Sequence, residues 1–502
     1  MNKLQKFGLI IGLIGFLYFN IFSFFPDNLP ASNLLAIVFL IVSFWIFEVI
    51  PLSVTSLLPF ILFPIFGIMK ADNVASYYFN STIFLFLGGF LLASAIENWQ
   101  LHKRISLIIT DKIGKTPDML IFGIMTATTF LSMFISNAAT AIMMMPIGLS
   151  VIKKIEQNFD KKNADKMTVS LMLGIAYSAS IGGIATIIGT APNLAFKRIY
   201  EQSFPDAPEI TFTKWMFYAL PITIVMLFLI WLLLTKILHK VDKNLKLDRE
   251  VIKTELKELG KTSYQEKLVF AVTILAAFLW IFRADIELGS FVVYGWSNLF
   301  EFAKFIDDGL IAVFIALLLF VTPSIPFFGK NIEKVTKSVG TKKHLLSADA
   351  LNTVPWDILV LLGGGFALAQ GFQVTGFSKI LGENLTGISS YGVIGIVIIV
   401  STLLTFLTEL TSNTATTNTV LPILAGIAIA TDINPLILML PATISASFAF
   451  MLPVGTPPNS IVFSVGIVNI RQMATAGFIV NIIGIIVVTI FTMTLGKIIF
   501  GF

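Results

Sequence analysis

The chain has 502 residues, 56% hydrophobic and 13% charged, with a mean hydropathy of +0.89. Soluble domains carry about 25% charged residues, so the composition excludes an ordinary soluble fold and describes an all-α polytopic membrane protein. There is no Cys, which excludes disulfides and thiolate metal sites, and the net charge of +5 sits in a few loops, which speaks for membrane topology and against nucleic-acid binding.

Lys3 and Lys6 precede an apolar run from Phe7 to Phe25. The run is too long and too rich in Phe for a signal-peptide core, so it reads as a first span kept in the mature protein. Further spans are expected at 33–50, 52–69 and 81–97, each near the roughly 20 residues needed to cross. Residues 101–115 mix charge with apolar side chains, as an interfacial amphipathic helix does. The apolar stretch 118–150 carries Ser136-Asn137 at its middle and reads as a re-entrant hairpin. Spans follow near 167–200, 214–238, 266–282, 308–325 and 356–374, then a second hairpin at 391–430 and spans at 435–468 and 474–500. The three histidines, His102, His239 and His344, fall in basic loops, where a zinc site is not expected.

The second hairpin is the more polar one. Between Thr405 and Thr419, eight of fifteen residues bear hydroxyls, and no Lys or Arg occurs between Lys379 and Arg471. In lipid, non-helical backbone survives only where it is buried in protein or lines a cavity. A polar knot inside such an apolar stretch therefore marks a hairpin tip at a binding site. The alternative is a Thr-rich helix bonding back to itself.

A repeat decides between them. A shift of 276 residues lays Gly88-Gly89-Phe90 on Gly364-Gly365-Phe366, Ser136-Asn137 on Ser412-Asn413, and Pro146-Ile147 on Pro422-Ile423. A shift of 266 lays Gly189-Thr190-Ala191-Pro192-Asn193 on Gly455-Thr456-Pro457-Pro458-Asn459. Loops 151–166, 239–267 and 326–345 are basic, whereas 201–210 is acidic and acids outnumber bases over 283–307. The positive-inside rule puts the basic loops in the cytoplasm. About eleven spans then leave the N-terminus inside and the C-terminus outside. The hairpins enter from opposite sides, which makes the repeat inverted.

Inverted repeats with interrupted spans mark secondary transporters that bind near the midplane. Pro after Gly-Thr ends a helix, so each half offers a hairpin tip and a broken helix. Helix N-termini attract anions, and free carbonyls with Asn oxygens hold small hard cations. Two cation sites flanking one anion are the natural reading. Gly88-Gly89 and Gly363-Gly364-Gly365 read as close helix packing. Glu409 reads as a bonded structural or mouth residue, with proton coupling the alternative.

These motifs, with Glu48-Val49-Ile50-Pro51-Leu52 and Trp356, resemble the divalent anion:sodium symporter family, which includes INDY-type bacterial dicarboxylate transporters, over almost the whole chain. The resemblance implies a homodimer in which a mobile transport domain moves as an elevator against a scaffold. It divides the chain into 1–116 (scaffold and interfacial helix), 117–238 (transport), 239–390 (cytoplasmic loop and scaffold) and 391–502 (transport). It implies one sodium site at Ser132, Ser136, Asn137 and Gly189, and a second at Thr408, Thr411, Asn413 and Gly455. The dicarboxylate would lie among Ser136, Asn137, Thr190, Ser412, Asn413, Thr414, Thr456 and Pro457. One position departs from the family's Ser-Asn-Thr: Ala138 follows Asn137. The expected activity is sodium-coupled symport of succinate, malate, fumarate or 2-oxoglutarate, with sodium-independent exchange, or transport of sulfate or citrate, as alternatives. An organic cofactor is not expected. An intramembrane hydrolase would need a Ser/His pair or apposed Asp residues within the spans, and a channel would need a continuous polar stripe.

Overall fold

The computed structural model describes residues 1–241, 250–288, 291–325, 343–384 and 391–502. Residues 242–249 of the basic loop 239–267, and most of loop 326–345, lie outside the described residues. Among the described residues the fold is all-α apart from a two-stranded ribbon pairing Ile286–Leu288 with Phe291–Val293. Ten described helices are long and apolar enough to cross a membrane, and five shorter apolar helices accompany them.

Both expected hairpins form. Pro117–Ser132 and Asn137–Asn158 make the first, Gly392–Thr408 and Asn413–Thr431 the second. Both expected breaks form too. Lys161–Ile184 stops before the half-helix Ala191–Ser203, and Pro435–Ser445 stops before Pro457–Ser464. The halves interlock: Asn137–Asn158 packs on Pro457–Ser464, and Asn413–Thr431 packs on Ala191–Ser203.

One expected span does not form. Residues 52–69 divide into Leu52–Thr55 and Leu58–Ile65, and eight helical residues extend only about 12 Å. Pro51 caps the first piece, Pro59 starts the second, Pro64 interrupts its last turn, and Gly67 turns the chain at φ +69°. A short helix, Ala71–Tyr78, follows before Asn80 caps Ser81–Asn98 with its side chain.

The amphipathic helix is Leu101–Ile113, but its apolar face lies on Pro117–Ser132 and Glu250–Glu258. Arg104 is buried in it, paired with Glu266 at 2.9 Å and bonded to the Gly260 carbonyl at 3.0 Å. The glycines pack helices as expected at Gly88, where a Cβ would lie 2.5 Å from the Ala312 carbonyl carbon, and at Gly364, 2.3 Å from the Ser56 oxygen. A buried ion cluster ties the half-helix Ala191–Ser203 and the loop after it to the 283–308 region. Arg283 bonds Asp308 and Glu209, both at 2.7 Å, and Lys197 reaches Glu209 at 3.1 Å and Glu201 at 2.9 Å.

Arg283 and Asp308 are both nearly inaccessible. Removing one partner of a buried pair costs roughly 3–5 kcal/mol, and without Arg283 the buried Asp308 keeps only its longer contact to Lys197 at 3.8 Å. Arg283→Ala is therefore expected to lower the unfolding temperature in detergent well below that of a surface control such as Lys304→Ala. Burial pushes the Glu209 carboxyl up, but Lys197 and then Arg283 outweigh it and hold it below the usual value. A depressed folded-state value stabilises above the ordinary carboxylate range and is lost as pH falls through the depressed value. Acid should thus cost wild type more stability than Glu209→Gln, and parallel pH–melting curves for the two would contradict this.

Candidate functional site

Each hairpin tip is built in the same way. Ser132 Oγ lies 2.6 Å from the Ala179 carbonyl oxygen and 2.8 Å from Asn137 Oδ1, with its one proton shared between these acceptors. In the other half, Thr408 Oγ1 lies 2.8 Å from the Ala446 carbonyl oxygen and 2.6 Å from Asn413 Oδ1 in the same way. Ser136 and Ser412 are the N-caps of the returning arms. Ser136 Oγ accepts from the Ala139 amide at 3.3 Å, whereas Ser412 makes no capping bond.

The breaks are braced by an asparagine that sequence reasoning placed in a motif without a role. Asn193 Nδ2 donates to the carbonyls of Gly183 (3.1 Å) and Thr186 (2.7 Å). Its repeat partner Asn459 donates to those of Ala449 and Leu452, both at 3.0 Å. Both residues are fully buried, and the Oδ1 atom of each has no hydrogen-bond partner. The repeat extends further than the motifs first aligned, since Ser178-Ala179-Ser180 matches Ser445-Ala446-Ser447 at a shift of 267. That match supplies the two carbonyls that receive Ser132 and Thr408.

The halves differ at one brace. Glu409, buried beside the second tip, accepts from the amides of Phe450 (2.7 Å), Met451 (2.9 Å) and Leu452 (3.1 Å) and from Asn481 Nδ2 (2.8 Å). It is a bonded structural residue. The equivalent position is Met133, whose carbonyl receives Thr186 Oγ1 instead.

A cavity of about 630 Å³ lies where the tips and breaks meet. Ser136, Asn137, Gly189, Thr190, Thr411, Ser412, Asn413, Thr414, Gly455, Thr456 and Pro457 all line it, as does Ala138. Trp45, Phe86, Phe90, Ile358 and Leu361 form an apolar side. Ser132 and Thr408 are buried behind the tips and reach the cavity only through their asparagines. Thr411 Oγ1 bonds the Leu407 carbonyl at 2.9 Å and Thr416 Oγ1 at 2.6 Å.

The charge balance of the lining is one-sided. Its charged residues are Glu48 and Asp357, both exposed, and no Lys or Arg lines it. The half-helices Ala191–Ser203 and Pro457–Ser464 begin at the cavity and turn their positive dipole ends toward it. Pro457 and Pro458 have no N–H, so the second half-helix offers fewer donors than its break promised. The oxygen-rich tips suit a small hard cation. The fit is close at the first tip: a Cβ on Gly183 would lie 2.2 Å from Asn137 Oδ1, and one on Gly189 2.4 Å from the Gly183 oxygen.

Residues 13–502 match the family described as the sodium:sulfate symporter transmembrane region. The chain is 41% identical over 499 residues to the sodium-dependent dicarboxylate transporter SdcS of Staphylococcus saprophyticus, covering 97% of this chain and 92% of that protein. It is 42% identical over 504 residues to SdcS of Staphylococcus aureus strain MRSA252, covering 99% and 92%. Among solved structures, Neisseria gonorrhoeae MtrF is similar with a TM-score of 0.50 and 12% identity, over 85% of this chain and 83% of that one. The Alcanivorax borkumensis YdaH transporter is similar with a TM-score of 0.50 and 11% identity, over 85% and 87%. At such identities these two show the fold alone.

Gly183→Ala is expected to drive Asn137 off the first tip and abolish any transport that uses it. Gly89→Ala, whose Cβ would meet nothing nearer than 3.7 Å, should be tolerated. Uptake by cells producing each variant, normalised to protein in the membrane, makes the comparison. Equal uptake by the two would detach Asn137 from the site.

Proposed function

This chain belongs to the sodium:sulfate symporter family, and on that premise we propose that it is a secondary active transporter of C4 and C5 dicarboxylates driven by sodium. The observation that carries the proposal is the single cavity at which both tips and both breaks meet, with acids as its only charged lining. An isolated carboxylate transferred into a medium of low dielectric costs tens of kcal/mol in the idealised limit. Helix ends, hydroxyls and amides recover part of that. Bound cations supply the rest, which ties anion binding to sodium. The names of the relatives support the same ion and substrate class.

Sodium would be held at Ser132, Ser136, Asn137 and Gly189, and again at Thr408, Thr411, Asn413 and Gly455. The substrate would lie between Ser136-Asn137 and Ser412-Asn413-Thr414, with Thr190, Thr456 and the Pro457 ring closing its ends. Succinate, malate, fumarate and 2-oxoglutarate are the candidates. Ala138 withholds one hydroxyl that Thr414 provides on the other side, a difference of about 0.5–1.5 kcal/mol for a neutral hydrogen bond. The tip and break residues that line the cavity come from 117–238 and 391–502, whereas 1–116 and 239–390 supply its aromatic and aliphatic wall together with Ser53, Glu48 and Asp357. That division supports an elevator in which the first pair slides against the second, within the homodimer that family resemblance implies.

The test is uptake into proteoliposomes with sodium, potassium or choline outside, with and without internal dicarboxylate. Sodium alone should support concentrative uptake, and Asn137→Ala and Asn413→Ala should each abolish it. Ala138→Thr should shift affinity or substrate preference and leave the sodium requirement intact. Equal rates in all three salts, rising only with a preloaded lumen, would replace symport by exchange.

For topology, we propose that residues near 158 and 243 face the cytoplasm and those near 205 and 290 the outside. Single Cys residues in this Cys-free chain, labelled with an impermeant reagent, check it. Labelling of 205 and 243 from the same side would overturn the inverted arrangement.

A further inference from the structure

One buried side chain bridges the helices that brace the two tips. Tyr177 is fully buried in Lys161–Ile184, the first-half helix whose Ala179 carbonyl receives Ser132 and thereby positions Asn137. Its ring lies 5.2 Å from that of Phe450, at 69°, in the unwound stretch of the second half. Its hydroxyl donates to the Met473 carbonyl at 3.2 Å.

Phe450 is held on three sides. Its amide donates to Glu409, the residue directly after Thr408. Its carbonyl is pressed against Gly477, where a Cβ would lie 2.2 Å away. Its ring faces Tyr177. The helix Ile470–Phe491 supplies Met473 to Tyr177, Gly477 to Phe450 and Asn481 to Glu409. A shift of the first-half helix at Ala179 therefore reaches the backbone that Glu409 holds beside Thr408 and Asn413. The link is not duplicated: the residue matching Tyr177 at the shift of 267 is Ile444, apolar and buried.

We propose that Tyr177 is a positioning residue that couples the two cation sites, so that occupation of one tip raises the sodium affinity of the other. The proposal rests on the two-site sodium reading above. Contiguity alone does not establish coupling; an effect on cooperativity does.

The experiment is a sodium titration, with choline keeping ionic strength constant, of radiolabelled succinate binding to the purified full-length protein in detergent. Wild type should give a sigmoidal curve. Tyr177→Leu, which removes the ring contact and the hydroxyl, should lower its steepness to that of two independent sodium sites while reaching the same binding at saturating sodium. Tyr177→Phe, which keeps the ring, should give an intermediate steepness. A merely structural role would lower the amount of competent protein and leave the curve's shape unchanged. Should Tyr177→Leu fail to fold, Phe450→Leu tests the same contact from the other half and should flatten the curve likewise. Wild-type steepness in the folded variants overturns the coupling while leaving sodium-dependent binding in place. Succinate binding by wild type that ignores sodium overturns the two-site reading and this inference with it.

Discussion

Backbone that leaves its helix at membrane depth must find every hydrogen bond inside the protein, and the two breaks of this chain show how that is done. Asn193 and Asn459 each take two carbonyls of the unwound turn. On the other side of the second turn, Glu409 takes three successive amides. Without these braces the helices would have to run through, and no polar cavity could open between them. The tips depend on the same device, since Ser132 and Thr408 bond at once to their asparagine and to a carbonyl on the neighbouring broken helix.

Duplication gives the site its shape, and departures from duplication give it direction. Glu409 stands where the first half has Met133, Ala449 where it has Gly183, Pro457 where it has Ala191, and Thr414 where it has Ala138. The first tip is accordingly braced by a hydroxyl and crowded against glycine, the second by a carboxylate. The second half-helix lacks two amide donors that its prolines remove.

Much of this was legible in the residues. Ser136-Asn137 and Ser412-Asn413 stood out because hydroxyls and amides are costly inside an apolar run, and Gly-Thr-x-Pro-Asn because Pro cannot continue a helix. All the lining positions expected for the substrate converge on one cavity. The failures have physical causes. The apolar content of 52–69 counted as a span although Pro59 and Pro64 interrupt it. Asn193 and Asn459 stood in the motif without a role, because only the fold turns their amide groups onto the carbonyls of the unwound turns. Tyr177 was invisible because its partners lie 273 and 296 residues away, beyond the reach of any local pattern.

The central claim is that an anion binds among these tips only with cations beside it, since the cavity offers no Lys or Arg. Calorimetric titration of succinate into the purified protein, across sodium concentrations at fixed ionic strength, tests it most directly. The account predicts an apparent Kd that falls as sodium rises, more steeply than one cation per anion allows, and no measurable binding in choline. The same Kd in sodium and in choline would contradict it.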